Sequence, residues 1–350
     1  MKLVSYLEQG KEQLGIFCNS KIFNVQQNSL LVSKNPLPST MSDFLNLGDD
    51  AMMVAKALDT EIQNPSSEFR NRWMETTVKN HELLAPVPHP ASCRDGYAFR
   101  QHVESARRNR KAAMIPEFDQ YPVFYFTNHN AIQGQGEIWC MTDHFQKLDF
   151  ELEAAIVIGK KGRNIRAAEA DAYIAGYMIM NDLSARTLQM EEMLLNLGPA
   201  KGKDFSTVIG PWLVTPDELE SSKVPPKKDH TGNRYNLSMQ CTVNGKQVSA
   251  GNLGDMDWTF AEIIERCSYG VDLLPGDVIG SGTVGTGCFL ELNGTGLLND
   301  PAYKTQWLQP NDVVEMRIDR LGILTNTIRK VDSDYSILSL KKVENVSLGS

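Results

Sequence analysis

The sequence predicts an α+β fold rich in β-structure, and three observations carry that expectation. Short apolar, β-prone runs recur along most of the chain, each bounded by Gly, Pro, Asn or Asp. Helical patterns are few and gather mainly near the front. The stretch Ala85-Pro86-Val87-Pro88-His89-Pro90 removes three backbone donors within five residues, which breaks any helix and marks a boundary. The 350 residues thus divide into a front α/β module, residues 1–90, and a larger domain, residues 91–350.

In chain order, Leu3 to Leu7, Leu14 to Phe17 and Lys21 to Val25 read as strands separated by Gly10, Asn19 and Ser20. Helices are expected around Met41 to Leu47 and Phe69 to Asn80. Beyond the prolines, Ala154 to Ile158 and Tyr173 to Met180 are apolar and β-prone, and Leu237 to Val243 runs into the hairpin signal Asn244-Gly245. Val278 to Ile279, Phe289 to Leu292 and Val313 to Ile318 continue the strand series. No internal repeat is present.

Composition narrows the class. At 41% hydrophobic and 22% charged residues the chain belongs with ordinary globular proteins. A formal charge of −8 gives no electrostatic footprint for nucleic acid, and the one basic cluster, Arg107, Arg108, Arg110 and Lys111, reads equally well as a solvated helix face. No apolar stretch has the length of a membrane span and the N-terminus lacks signal-peptide order, so a soluble cytoplasmic protein is expected. Six cysteines without a Cys-x-x-Cys pair suggest reduced, mostly buried thiols rather than a disulfide framework or a zinc site.

Four segments could carry chemistry. In Asp149-Phe150-Glu151-Leu152-Glu153 a strand would put the three acids on one face and the apolar pair on the other. Drawn out of water, such acids repel unless a cation neutralises them, yet alone the pattern favours an exposed charged strand. After the run ending at Met180, Asp182 sits where it could cap a helix on which Asp182, Arg186 and Gln189 share a face, so a ligand carboxylate and a plain cap both fit. Arg94 to His102 offers a carboxylate, a phenol and an imidazole in Asp95, Tyr97 and His102, although a lone His is more often structural. Leu197 to Thr207 combines glycines with Lys201 and Lys203, which could stabilise a developing negative charge or simply form an exposed turn. Its spacing excludes a phosphate-binding P-loop.

Taken in order, these segments resemble the fumarylacetoacetate hydrolase family, from about Arg94 to the end of the chain. The markers are Asp-Phe-Glu-Leu-Glu (149 to 153), Asn-Asp-Leu-Ser-Ala-Arg (181 to 186), Gly-Lys-Asp-Phe (202 to 205), Ile-Gly-Pro-Trp (209 to 212), Leu-Pro-Gly-Asp-Val-Ile (274 to 279) and Ser-Gly-Thr (281 to 283). The resemblance implies a fumarylacetoacetase-like mixed β-sandwich roll for the larger domain. It implies Asp95, Glu151, Glu153 and Asp182 as metal-binding carboxylates, His102 as the base that activates water, and Glu291 as the acid that orients it. It further implies Lys203 and Gln189 at the oxyanion, Tyr97, Tyr125, Thr283 and Arg186 as substrate contacts, and Thr207 with Lys203 near a second, structural ion. The family arginine that follows the His falls among Arg107, Arg108 and Arg110, and the loop from Thr283 to Glu291 is shorter than in the animal enzymes.

The implied reaction is hydrolysis of a carbon–carbon bond in a small-molecule β-diketo acid, with fumarylacetoacetate, an intermediate of tyrosine catabolism, as the leading substrate. Such a leaving group is a carbanion, and a hard divalent ion, magnesium or calcium with manganese as a further option, would carry its charge as an enolate. A homodimer is also implied. Rival readings keep the fold but make it an acylpyruvate hydrolase, a decarboxylase or a hydroxyheptadienedioate isomerase, or leave it a catalytically silent binding protein.

Overall fold

The β-prone runs at the front become strands β1 (Lys2–Glu8), β2 (Lys11–Cys18) and β3 (Lys21–Asn24), paired antiparallel in sequence. The computed structural model describes residues 1–77 and 82–342. A one-and-a-half-turn helix follows at Met41–Asn46, started by the Thr40 hydroxyl accepting from the Asp43 N–H. The longest helix of the region, α1 (Asp49–Gln63), lies between the two expected ones. The helix expected over Phe69 to Asn80 is one turn at Ser67–Arg70, after which Glu75–Thr76 forms β4 against β3; residues 78–80 fall outside the described ones. Asn28 explains the extended end, because its side-chain amide both donates to and accepts from the Met74 backbone at 2.7 Å, holding the chain along β3.

In the larger domain the strands that position the site are β5 (Cys93–Gly96), β6 (Phe124–Thr127), β8 (Leu152–Ile158), β9 (Ile174–Asp182), β10 (Thr207–Val214) and β13 (Val278–Gly280). A second sheet is built from β7 (Gly136–Cys140), β11 (Ser238–Val243), β12 (Lys246–Asn252), β14 (Val313–Ile318) and β15 (Gly322–Lys330). Its order is β12-β11-β14-β15-β7, and the Asn244-Gly245 hairpin joins β11 to β12 as its sequence predicts. The main sheet runs β4-β3-β2-β1-β10-β9-β8-β13-β5-β6, eleven strands with Ile132–Gln133 added beside β10. Residues 1–90 are therefore joined to the rest through β1, which pairs with β10 at Lys2↔Val214 and Leu3↔Leu213.

The continuous apolar run of β8 follows from burial on both faces. Ala154, Ile156 and Ile158 enter a core shared with the second sheet, while Ala155 and Val157 join another with β1, β2 and α1. One strand expectation fails: Phe289 to Leu292 is the start of helix α5 (Phe289–Asn299), which follows α4 (Phe260–Ser268) in the chain. The β-prone residues there are overridden because Asp149 accepts from the Phe289 and Leu290 N–H groups, at 2.7 and 2.9 Å, and so satisfies donors that only a helix start leaves free. No described helix is long and apolar enough to cross a membrane.

Candidate active site

Four carboxylates reach one spot from neighbouring strand ends: Asp95 on β5, Glu151 just before β8, Glu153 on β8, and Asp182 as the last residue of β9. All four are buried. Ligand oxygens of Asp95, Glu151 and Glu153 lie within 4.8 Å of one another. Asp182 lies beside them but is not part of that tight group, since its Oδ2 accepts from Lys203 Nζ (2.7 Å) and from the Tyr125 hydroxyl. The glycine of β13 makes the approach feasible: a Cβ on Gly280 would collide with Asp95 Oδ1 and lie 3.0 Å from Glu153 Oε2. Gly282, at φ +78°, donates its N–H to Asp95 Oδ1 at 3.0 Å.

This burial decides between the two readings of the acid alternation: it is not an exposed charged strand. Nor does Asp182 share a helix face with Arg186 and Gln189, because the helix α3 (Arg186–Met193) starts four residues later and Asp182 stays in the ladder opposite Thr207. Arg186 is buried and fully engaged, donating to Asp149 (2.8 Å), Glu151 (2.8 Å) and Gln189 Oε1 (3.0 Å). Lys203 bridges Glu151 and Asp182.

Five buried acids, counting Asp149, thus face two buried cations, and the imbalance shows in their proton affinities. Burial, then the charge of Asp182, pushes Asp95 up to about 7. Burial, then Asp95 and Glu151, pushes Glu153 well above the usual carboxylate range. Burial would also raise Glu151, but Lys203 and Arg186 overcome it and hold that group at about 2. Glu153 Oε2 and Asp182 Oδ1 are buried with no hydrogen-bond partner. Orphaned carboxylate oxygens on an uncompensated negative cluster fit a hard, oxygen-seeking divalent cation. Asp95, Glu151, Glu153 and Asp182 would be the residues to hold such an ion.

The expected base and its partner are also brought together from far apart in sequence. His102 lies in the first turn of α2 (Arg100–Asn109), Glu291 in the first turn of α5, and His102 Nδ1 contacts Glu291 Oε2 at 2.6 Å. The Thr286 N–H holds the same Glu291 oxygen at 3.0 Å. With Nδ1–H donating to the carboxylate, Nε2 is left as a proton acceptor.

Both groups open onto a cavity of about 960 Å3 that Asp95, Tyr97, Tyr125, Glu151, Arg186, Gln189, Lys203 and Thr283 also line, whereas Glu153, Asp182 and Thr207 do not. Tyr97 packs edge-on to the His102 ring at 5.9 Å. Thr283 donates to Glu153 Oε1 at 3.3 Å. Of the three candidate arginines only Arg110 lines the cavity; Arg107 donates to the Ala113 carbonyl, and Arg108 to Ser105 and Thr295. Thr207 faces Thr127, with Oγ1 atoms 3.4 Å apart.

Two residues at the site carry no assigned role in the sequence reading. Asp149 gives one oxygen to the Phe150 and Phe289 N–H groups and the other to Leu290 N–H and Arg186, so a single carboxylate ties the acid cluster to the helix that carries Glu291. Its place in the acid alternation was the only available signal. Cys288 lies within 4.8 Å of ligand atoms of His102 and Glu291; spacing in the chain gave no sign of it. All six cysteines are free, and all but Cys18 are buried.

Residues 92–329 match the family described as fumarylacetoacetate (FAA) hydrolase C-terminal. The chain is 31% identical over 302 residues to the human mitochondrial oxaloacetate tautomerase FAHD2A, covering 83% of this chain and 80% of that one. Among solved structures, a fumarylacetoacetate hydrolase from Exiguobacterium antarcticum superposes with a TM-score of 0.66 at 22% identity, and a maleylpyruvate hydrolase from Sphingobium with 0.64 at 17%, each over 95% of this chain and all of the other. The fold, the buried acids at its strand ends and the long profile match converge on one assignment: the chain belongs to the fumarylacetoacetate hydrolase family of enzymes.

Proposed function

We propose that the protein is a metal-dependent hydrolase that cleaves a carbon–carbon bond in a small β-diketo acid, with fumarylacetoacetate as the first substrate to test. The observation that carries this reading is the His102–Glu291 pair opening on the same cavity as the acid cluster. His102 Nε2 takes a proton from water as it attacks the carbonyl, while Glu291 stabilises the imidazolium that forms. Lys203 spends two of its three ammonium donors on Glu151 and Asp182, and the third serves the oxyanion. Gln189 accepts from Arg186 through Oε1, which leaves its amide N–H groups for the same oxyanion. Tyr97 and Arg110 face the substrate carboxylate. A divalent ion, when bound, supplies stabilisation of the departing enolate.

A second reading is favoured by the identity to an oxaloacetate tautomerase. The same His102 could pass a proton between carbon and oxygen of a keto acid without cleaving it. Turnover in isotopically labelled water separates the two. Hydrolysis places solvent oxygen in a product carboxylate and abolishes the diketone ultraviolet absorbance, with loss of turnover on chelation and in His102→Ala. Product of unchanged mass would overturn the hydrolytic reading.

A further inference from the structure

The cavity is far larger than the chemistry of its buried groups requires, and its more exposed, outer wall changes character. The groups that act on a diketo acid, among them Asp95, His102, Glu151, Lys203 and Glu291, are gathered at the inner end. The outer wall is formed by Met190, Met193, Leu197, Leu290, Leu297 and Trp307. Several of these are open to solvent, Leu197 at 78% and Met193 at 42%, although large apolar side chains at the mouth of a site cost free energy when left wet. No acid lines this half. Of the cations at the mouth, Lys147 lies over the Trp307 ring, 6.0 Å from its centre, and Arg110 stands at the Tyr97 side, where Tyr97 feels its charge. The outer wall thus offers mostly apolar contact, with Lys147 its one cation beside Trp307, while two methionines give it a surface that adapts to arms of different shape.

Resting on the hydrolytic reading above, we infer that the substrate is an acylpyruvate-type diketo acid with an extended apolar arm, an alkyl chain or aryl ring of six or more carbons, seated between α3 and α5. Arg110 and Tyr97 take the single carboxylate, and the arm runs outward over Met190, Met193 and Leu297 to the face of Trp307. A volume of about 960 Å3 is at the upper end of what encloses a drug-sized ligand, and a dicarboxylate of eight carbons would leave most of it wet.

The test is a series of straight-chain acylpyruvates with acyl arms of two to eight carbons, assayed with magnesium against fumarylacetoacetate, together with 2-oxo acids of matching length that hold no cleavable bond. Each added methylene that enters the wall should raise kcat/KM about threefold to fourfold until the cavity is filled. The 2-oxo acids should tighten in step, read by tryptophan fluorescence that disappears in Trp307→Phe. Met193→Glu should lower kcat/KM for the longest arm at least tenfold more than for acetylpyruvate. A flat length series with acetylpyruvate turned over, or a preference for the dicarboxylate, overturns the apolar arm and leaves the hydrolase intact. Chain-length-dependent binding of the 2-oxo acids without cleavage of any acylpyruvate supports the arm and overturns the hydrolase.

Discussion

The two halves of the main sheet were built under opposite rules. Strands β1 to β3 bury Leu3, Leu14, Ile16 and Phe23 against α1, an apolar core of the ordinary kind. A few strands away, β5, β8 and β9 bury Asp95, Glu153 and Asp182 in the same sheet. Burial stabilises the first half through apolar area. In the second it opposes folding unless each charge is paired, held or neutralised. The site is thus a region where stability is surrendered and then recovered through Arg186, Lys203 and Asp149, with orphaned oxygens left that a cation would satisfy, whereas the front half has little to recover beyond Asp59 of α1.

The largest effect that sharpens this contrast is chemical. His102→Ala should lower kcat by about 100-fold to 10,000-fold. The ion should still raise its thermal midpoint, because no acid of the cluster has been removed. A variant that loses the ion's effect would merge the dyad with the acid centre. Next comes Asp149→Ala, which removes one of the two carboxylate partners of Arg186 and the acceptor of the first two N–H groups of α5 at once; unfolding in denaturant should reveal a loss of about 3–5 kcal/mol. Activity of the folded fraction should fall too, since Glu291 rides on that helix.

In the apolar half, Leu14→Ala should cost roughly 2–5 kcal/mol, centred near 3, with the response to ion unchanged. If the ion's effect vanished there as well, the two halves would be one cooperative charge system. Magnesium or calcium at a hundredfold excess over its Kd should add about 2.7 kcal/mol, measured as the difference between thermal scans with ion and with chelator.

The smallest effect lies in pH. Burial, then Lys201, pulls His144 down to about 4, and its ring packs on Phe205 with centroids 4.0 Å apart. The unfolded chain therefore binds the proton more tightly. Stability should fall as pH drops below about 6.5 and level off below about 4, with about 1.4 kcal/mol lost from this group at pH 5.5. His144→Gln should flatten that part of the curve; an unchanged slope would assign it to other groups.

Local rules made much of the architecture legible. The β1 to β3 run, the β8 and β9 segments and the Asn244-Gly245 hairpin all follow from apolar patterning and turn chemistry, which act over a few residues. The failures lie where a distant side chain overrides local preference. Asn28 extends the chain at Met74, and Asp149 turns the β-prone Phe289 to Leu292 into a helix start. Asp182 was misplaced onto a helix because its ladder partner Thr207 is 25 residues away.

The acid cluster divides the same way. By itself the sequence determined which residue types were available, and the order of its motifs identified the family and nominated the four carboxylates, His102 and Glu291. Only the tertiary structure decided that those acids are buried together, that Lys203 and Arg186 share them unequally, that Arg110 rather than its neighbours reaches the cavity, and that Asp149 couples the cluster to the dyad. The reason is physical: charge compensation in a low-dielectric interior depends on distances of a few ångströms between residues as far apart as 102 and 291, and strand or helix periodicity carries no information at that range.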